Sequence, residues 1–262
     1  MRGLYAGQGS VLAIVPAHNE AGRIGAVVAA VTAQGLSVLV IDDGSVDTTG
    51  SEASAAGAQV LRLEPNRGKG GALKAGFREA LAAATAPGPD LADGSTAPGW
   101  AAFLTLDGDG QHDPAEIPQF IAAWERSGAD LVVGMRDYGQ MPPIRWFTNT
   151  ASRLLFSQAL GQRIPDNQSG YRLHTRRIAE AALASEEQGF AFEVEEIAIC
   201  VGRGYQLAWV PIKTIYGTEK SDIKPWTHVS SFMRVTRRAR RRMKEERRRA
   251  GMLDSAEIDY RG

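Results

Sequence analysis

Residues 103–114 read FLTLDGDGQHDP, an apolar run that ends in Asp107, Asp109 and Asp113, with Gln111 and His112 among them. In extended chain, residues two apart point to the same side, so Asp107, Asp109 and Gln111 present their oxygens together. Hard divalent cations such as Mg²⁺ want oxygen ligands, often few from the protein and the rest from substrate phosphates and water. An EF-hand loop would use the same first, third and fifth positions. It fails here, because His112 stands where glycine is required at six and Pro118 where glutamate is required at twelve. Asp113, followed by Pro114, reads as a helix cap. A turn-and-cap role needs one carboxylate, which leaves Asp107 and Asp109 to be explained.

Four other short stretches carry polar groups in similar settings: PAHNE (16–20), DDGSVD (42–47), EPNRGKGG (64–71) and Gly134-Met135-Arg136. In NRGKGGALKAG (66–76), glycines precede a helix, so free backbone N–H groups and the helix dipole could face an anion, with Lys69 beside them. The alternative is a plain glycine-rich turn with a solvated lysine. The segment is not a P-loop, since Gly70 stands where Ser or Thr should follow the Gly-Lys pair. It is not a dinucleotide fingerprint either, since Leu73 stands where the third glycine or alanine should be. Glu20, Asp42 and Asp43 are acceptor-only groups suited to ribose hydroxyls or base N–H groups. For Asp42 a simple turn role is the competing reading.

Positioning these groups requires a regular framework, and the hydrophobic pattern supplies one. Strands are expected at 11–17, 37–44, 58–63, 101–107 and 130–136. Between them Ile24, Val27, Val28 and Val31, then Leu73, Phe77, Ala80, Leu81 and Ala84, then Ile117, Phe120, Ile121 and Trp124, follow helical spacing. The stretch 86–100 is rich in Pro, Gly, Ser and Asp and reads as a surface loop. Alternation of strands and helices implies an α/β fold with a mostly parallel sheet covered on both faces. In such sheets ligands bind at the carboxyl ends of the strands. All five polar stretches fall there, and their convergence describes a nucleotide cradle with base and ribose at the first two strands and phosphates near a metal.

The 262 residues suffice to bury a real core, and 44% hydrophobic with 23% charged residues is ordinary for a globular protein. The lone cysteine, Cys200, sits in an apolar run, so no disulfide framework is possible and a reducing compartment fits. No stretch approaches 18 apolar residues and the N-terminus is too weakly apolar for a signal peptide, so a non-spanning chain is expected. Net charge is zero, but ten basic and only two acidic residues crowd into 234–249. The rest of the chain is therefore acidic. Phe232, Val235, Ala239 and Met243 give that basic segment a thin apolar stripe, which suits either an amphipathic helix on an anionic membrane or a solvated tail.

The ordered set IVPAHNE, VIDDGSVDTT, NRGKGGALKAG, LDGDGQHDP, VGMR and DNQSGYR resembles the family 2 glycosyltransferases of the GT-A fold. Within them it looks most like the polyprenyl-phosphate (dolichyl-phosphate-type) mannosyl- and glucosyltransferases. The resemblance covers roughly residues 10–225. It implies a single GT-A (Rossmann-like) domain over 1–225, with a nucleotide-binding half at about 10–136 and an acceptor half at about 137–225. A basic tail over 226–262 would follow. By resemblance, Pro16, His18, Glu20, Ile41 and Asp43 line the nucleoside site, and Asp107 and Asp109 match an Asp-x-Asp motif, with Gln111 near the metal. Arg136 and Arg145 fall where the group places basic residues around the sugar nucleotide. Ser169, Gly170, Tyr171 and Arg172 fall at the acceptor end, joined by Lys220 or Lys224 of KSDIK (220–224). In FEVEE (192–196), Glu195 is chosen over Glu193 as the acid lining the site. His18 departs from the group, which often has tyrosine there.

The expected reaction is metal-dependent, inverting transfer of a mannosyl or glucosyl group from a GDP- or UDP-hexose. Mg²⁺ or Mn²⁺, with Lys69, Arg136 and Arg145, would stabilise the leaving diphosphate. The expected acceptor is a polyprenyl phosphate, with a soluble or cell-envelope saccharide as alternative. A hydroxyl acceptor would need a base, for which Asp166 or Glu195 are candidates. The expected setting is cytoplasmic, peripheral on the inner face of the membrane. A nucleic-acid-binding protein using the arginine run leaves the acidic strand ends unexplained. A nucleotidyltransferase should carry a glycine-rich signature after the first strand, and PAHNE has none.

Overall fold

A computed structural model describes residues 11–83, 99–136, 143–213, 233–241 and 243, with the backbone alone for 143–149 and 151. Most of the expected 86–100 loop, the side chain of Arg145, and Lys220 and Lys224 lie outside what is described. Among the described residues one sheet holds seven strands. They are β1 (Val11–Ala17), β2 (Ser37–Asp42), β3 (Gln59–Arg62), β4 (Ala102–Thr105), β5 (Leu131–Arg136), β6 (Arg172–Thr175) and β7 (Leu207–Ile212). Their spatial order is β3-β2-β1-β4-β6-β5-β7. Every pairing is parallel except those of β6, which runs antiparallel between β4 and β5. The five expected strand ends therefore share one edge of the sheet. The reversal of β6 brings the segment before it, residues 166–171, to that same edge.

Helices cover both faces: α1 (Ile24–Ala33), α2 (Thr49–Ala55), α3 (Lys69–Ala83), α4 (Ile117–Ser127), α5 (Pro143–Leu160), α6 (Arg176–Ala182) and α7 (Ala191–Gly202). Alternate strand residues feed opposite layers. Ala13, Val15, Leu104 and Val132 pack with α1 and α4, whereas Ile14, Ile41 and Phe103 pack with α3 and α6. Leu131 and Val133 pack with α5 and α7. Gly76 lets α3 lie close on the sheet, since a Cβ there would come within 2.6 Å of Ile14 Cγ2. Asp113 caps the turn before α4 by accepting from the Ala115 N–H, as its sequence context implied.

The hydrophobic pattern hides β6 because three of its four residues, Arg172, His174 and Thr175, are charged or polar. Arg172 and His174 are completely buried and share one face of the strand. Arg172 Nη1 lies 3.1 Å from Glu196 Oε2 of α7, and His174 Nε2 lies 3.1 Å from Glu196 Oε1. The strand β7 was also unanticipated. Its Pro211 is tolerated because β7 lies at the edge of the sheet.

Residues 233–241 are helical, and they change the reading of the basic tail. Val235 and Ala239 are buried in the core with α5 and α7, and Met243 packs beside them. Arg238 pairs with Glu186 and Glu187, and Arg234 with Glu187. The apolar stripe, which suited either a helix on a membrane surface or a solvated tail, is packed inside the protein at Val235 and Ala239, so those two residues are not available to a membrane. Phe232 lies outside the described residues. No described helix is long and apolar enough to cross a membrane.

Candidate active site

The centre of the site is an ion triad drawn from three segments. Lys69, the first residue of α3, places Nζ 2.6 Å from Asp107 Oδ1 and 2.9 Å from Glu193 Oε1. Gly70 allows α3 to begin so near α7: a Cβ there would lie 2.6 Å from Phe192 Cβ. Gly170 closes the triad from the third side. A Cβ there would lie 2.6 Å from Glu193 Oε1 and 2.7 Å from Lys69 Nζ. The backbone of Gly170 is fixed by Thr105, whose hydroxyl donates to its carbonyl. The Phe190 ring stands 5.5 Å from Lys69 Nζ.

The charges divide unequally. Burial alone would lower the Lys69 ammonium, but Asp107 and Glu193 more than offset it and hold it above the ordinary lysine value. Burial would likewise raise Asp107, yet Lys69 and His112 hold its carboxyl well below the carboxylate range. His112 Nε2 is 3.5 Å from Asp107 Oδ2. Asp109 is treated differently: burial first, then the charge of Asp107, push it up. Its Oδ1 accepts from the Gln111 N–H, and Oδ2 has no protein partner among the described residues. Glu20 is raised by burial, with Asp109 and Asp107 adding to the effect and Arg23 opposing it. Glu20 and Asp109 are thus raised by burial and neighbouring carboxylate charge, whereas Asp107 is matched by Lys69.

That is the environment a hard cation would relieve. No cluster of three or more His, Cys, Asp or Glu ligands exists among the described residues. A closed all-protein metal cage is therefore absent there. A Mg²⁺-type site that takes one or two carboxylates and completes its shell with phosphate and water fits Asp109 and its neighbour Asp107.

The remaining predicted residues fall into distinct places. Pro16 lies opposite Ile41 in the sheet and is half-buried at its end. His18 is exposed, and its Nδ1 lies 2.9 Å from the Asp43 carbonyl. Asp43 is buried, and its Oδ1 accepts from the Arg67 N–H at 2.7 Å, tying the glycine-rich turn to β2. Ile41 does not line the site, because its side chain is fully buried under α3. Ser169 is buried beside the triad, with its carbonyl accepting from Arg172 Nε.

Several assignments need correction. Tyr171 is wholly buried, stacked on Phe120 with its hydroxyl donating to the Asp113 carbonyl, so it offers no surface to an acceptor. Arg172 is a core residue whose guanidinium holds the backbone of Ser169 and Glu193 and the carboxylate of Glu196. It positions the loop before β6 from within the core. Arg136 and Asp166 come together, with Nε 2.7 Å from Oδ2 and Nη2 2.9 Å from Oδ1. Asp166 also accepts from the Gln168 N–H and is fully buried, so it is a clamp for Arg136 and not a free base. On α7, Glu193 reaches the triad while Glu195 turns inward to the Ser185 hydroxyl. Residues two apart on a helix point in nearly opposite directions, and FEVEE alone does not fix the phase. Glu193 and His112 are thus the site residues given no role in sequence, Glu193 having been set aside for Glu195.

The acidic and cationic cluster lies at the carboxyl edge of a mostly parallel sheet, where such sheets bind their ligands. The fold has solved counterparts. Crystal structures of glucosyl-3-phosphoglycerate synthase from Mycobacterium tuberculosis superpose with TM-scores of 0.66 for the complex with UDP and 0.65 for that with Mn²⁺, UDP-glucose and phosphoglyceric acid. They are 18% and 20% identical, covering 88% and 90% of this chain and 81% and 80% of theirs. The family model for glycosyl transferase family 2 matches residues 12–184, and the chain belongs to that family. It is 28% identical to polyprenol monophosphomannose synthase of Mycolicibacterium smegmatis over 77% of this chain and 76% of that one. It is 30% identical to undecaprenyl-phosphate mannosyltransferase of Micrococcus luteus over 77% of this chain and 82% of that one.

Proposed function

We propose that this glycosyltransferase moves a hexosyl group, mannose or glucose, from a GDP- or UDP-sugar to a polyprenyl phosphate with inversion at the anomeric carbon. The observation that carries the reading is the placement of Asp109, with an unengaged carboxylate oxygen, beside the Lys69–Asp107–Glu193 triad. Asp109 and Asp107 would hold Mg²⁺ or Mn²⁺, which when bound neutralises the charge that develops on the leaving diphosphate. Pro16, His18, Glu20 and Asp43 would border the nucleoside. Arg136, aimed by Asp166, and Arg145 would serve the diphosphate. Ser169, Lys220 and Lys224 belong to the acceptor side, where Glu193 would orient the incoming group through Lys69. Asp166 and Glu195 are both engaged elsewhere, which suits an acceptor that is already an anion and needs no base. The names of the mannosyltransferase relatives support the lipid phosphate.

A soluble acceptor is the second reading, favoured by the docking of Val235 and Ala239 into the core, which removes one means of holding the membrane. The deciding experiment supplies radiolabelled GDP-mannose, UDP-glucose and their relatives with Mn²⁺, with and without undecaprenyl phosphate. Label entering the organic phase only when the lipid phosphate is present supports the proposal. Label remaining in water-soluble product supports the second reading, and no transfer with any sugar nucleotide contradicts both.

A further inference from the structure

The face of α3 turned away from the triad lines a cavity of 390 Å³, bordered by Arg67, Gly71, Lys74, Arg78 and Gln188. Gly71, Lys74 and Arg78 follow at spacings of three and four, which makes them one stripe along α3, and Arg67 precedes the helix in the turn that leads into it. Lys69 and Gly71 are two apart and look in different directions, so this cavity does not open onto Asp107. Gly71 keeps its floor open: a Cβ there would lie 2.6 Å from Arg67 Cβ and 2.9 Å from Gln188 Oε1.

The lining carries three cations and no carboxylate. Lys74 is 2% exposed, and its Nζ donates to the Ser185 carbonyl at 2.9 Å. No ion pair to Arg67, Lys74 or Arg78 forms among the described residues. The two acids whose charge reaches Lys74, Glu195 and Glu187, are turned to other partners. Glu187 pairs with Arg234 and Arg238, and Glu195 bonds the Ser185 hydroxyl. Burial, then Arg78, lowers the Lys74 ammonium below its ordinary value. Keeping a lysine this deep without a carboxylate is costly unless an anion completes its surroundings.

We propose that this cavity is a second anion site, one that binds a phosphate group between Lys74, Arg67 and Arg78, with the Gln188 amide at its rim. Two exposed arginine forks and an ammonium offer donors in several directions, which matches the several oxygens of a phosphate better than the two of a carboxylate. The volume admits a phosphate carrying a small substituent. The same phosphate could belong to a free metabolite or to a lipid headgroup that approaches along α3. Gln188 also joins the cavity to the site already described, since its carbonyl accepts from the Gly71 N–H. The loop it belongs to continues to Phe190 beside Lys69.

Calorimetric titration of the full chain with inorganic phosphate, at constant ionic strength and with EDTA present, tests the site. Comparison of Lys69→Met with the double variant Arg67→Gln/Arg78→Gln separates it from the strand-end cradle. Binding should survive Lys69→Met and weaken about tenfold or more in the double variant. Both altered arginines are exposed, so the double variant should fold, and an unchanged melting temperature without phosphate verifies this. Donor hydrolysis by the single variant Arg78→Gln should equal that of the parent. Sedimentation with phosphatidylcholine vesicles containing phosphatidic acid identifies the source: pelleting that inorganic phosphate reverses assigns a lipid headgroup, and phosphate binding without pelleting assigns a free phosphate. Absence of binding by both probes, or phosphate binding unchanged in the double variant, overturns the site.

Discussion

At the residue scale, the triad makes a sharp distinction on α7. Glu193 contacts Lys69 and Glu195 does not, so Glu193→Gln should slow transfer by about 10²-fold, the scale of losing a placed charge in a site. The fold should tolerate it. Glu195→Gln should do the reverse, lowering stability by about 1–3 kcal/mol through its buried bond to Ser185 while turnover at low temperature persists. Steady-state kinetics and thermal melts of the two variants separate these outcomes. If Glu195→Gln alone removes activity with an unchanged melt, the roles are exchanged. Cys200 gives an independent check. Burial, with Asp130 and Glu196 adding, pushes its thiol up to about 12. The reactive thiolate is therefore scarce below pH 9. Iodoacetamide at pH 8 should leave the native protein unlabelled and label it in full once denatured; rapid native labelling would show that the thiol is not packed as described.

At the element scale, the C-terminal helical segment behaves as part of the fold. Val235 is fully buried, so Val235→Ala should cost about 1–3 kcal/mol, measured by urea unfolding. A variant as stable as the parent would mean that 233–241 does not dock, and a free basic tail would return as the better description. The open choice between a membrane-facing stripe and a solvated tail illustrates what sequence leaves undecided. Val235 and Ala239 at helical spacing mark an apolar face, but spacing does not say whether the face meets lipid or α5 and α7. Five strands were legible because each is a short run rich in apolar residues, four of them largely buried and β3 half-buried at the edge of the sheet. In contrast, β6 was not, because Arg172 and His174 occupy core positions that only their pairing with Glu196 makes tolerable. Pairing across α7 is a tertiary fact with no local signature.

At the scale of the whole molecule, the account rests on topology. Parallel order brings the ends of β1, β2, β4 and β5 to one edge, and the antiparallel β6 delivers Asp166 to Gly170 to it as well. The acidic strand ends were readable from composition and position, and so was their convergence. Which oxygens remain available was not readable. Asp107 meets Lys69 and Asp166 meets Arg136, whereas Asp109, beside Asp107, keeps a carboxylate oxygen that no described protein group engages. Because Asp109 is raised above its ordinary value, its ionised form is unfavourable in the folded protein, and removing the charge should not weaken the fold. The most direct measurement is calorimetric titration of UDP and GDP, with and without Mn²⁺, into the parent and Asp109→Asn. The account predicts that at least one nucleotide binds the parent more tightly with Mn²⁺, that Asp109→Asn loses this enhancement, and that its melting temperature equals or exceeds that of the parent. Nucleotide binding indifferent to Mn²⁺ in the parent, or an enhancement retained in Asp109→Asn, would contradict it.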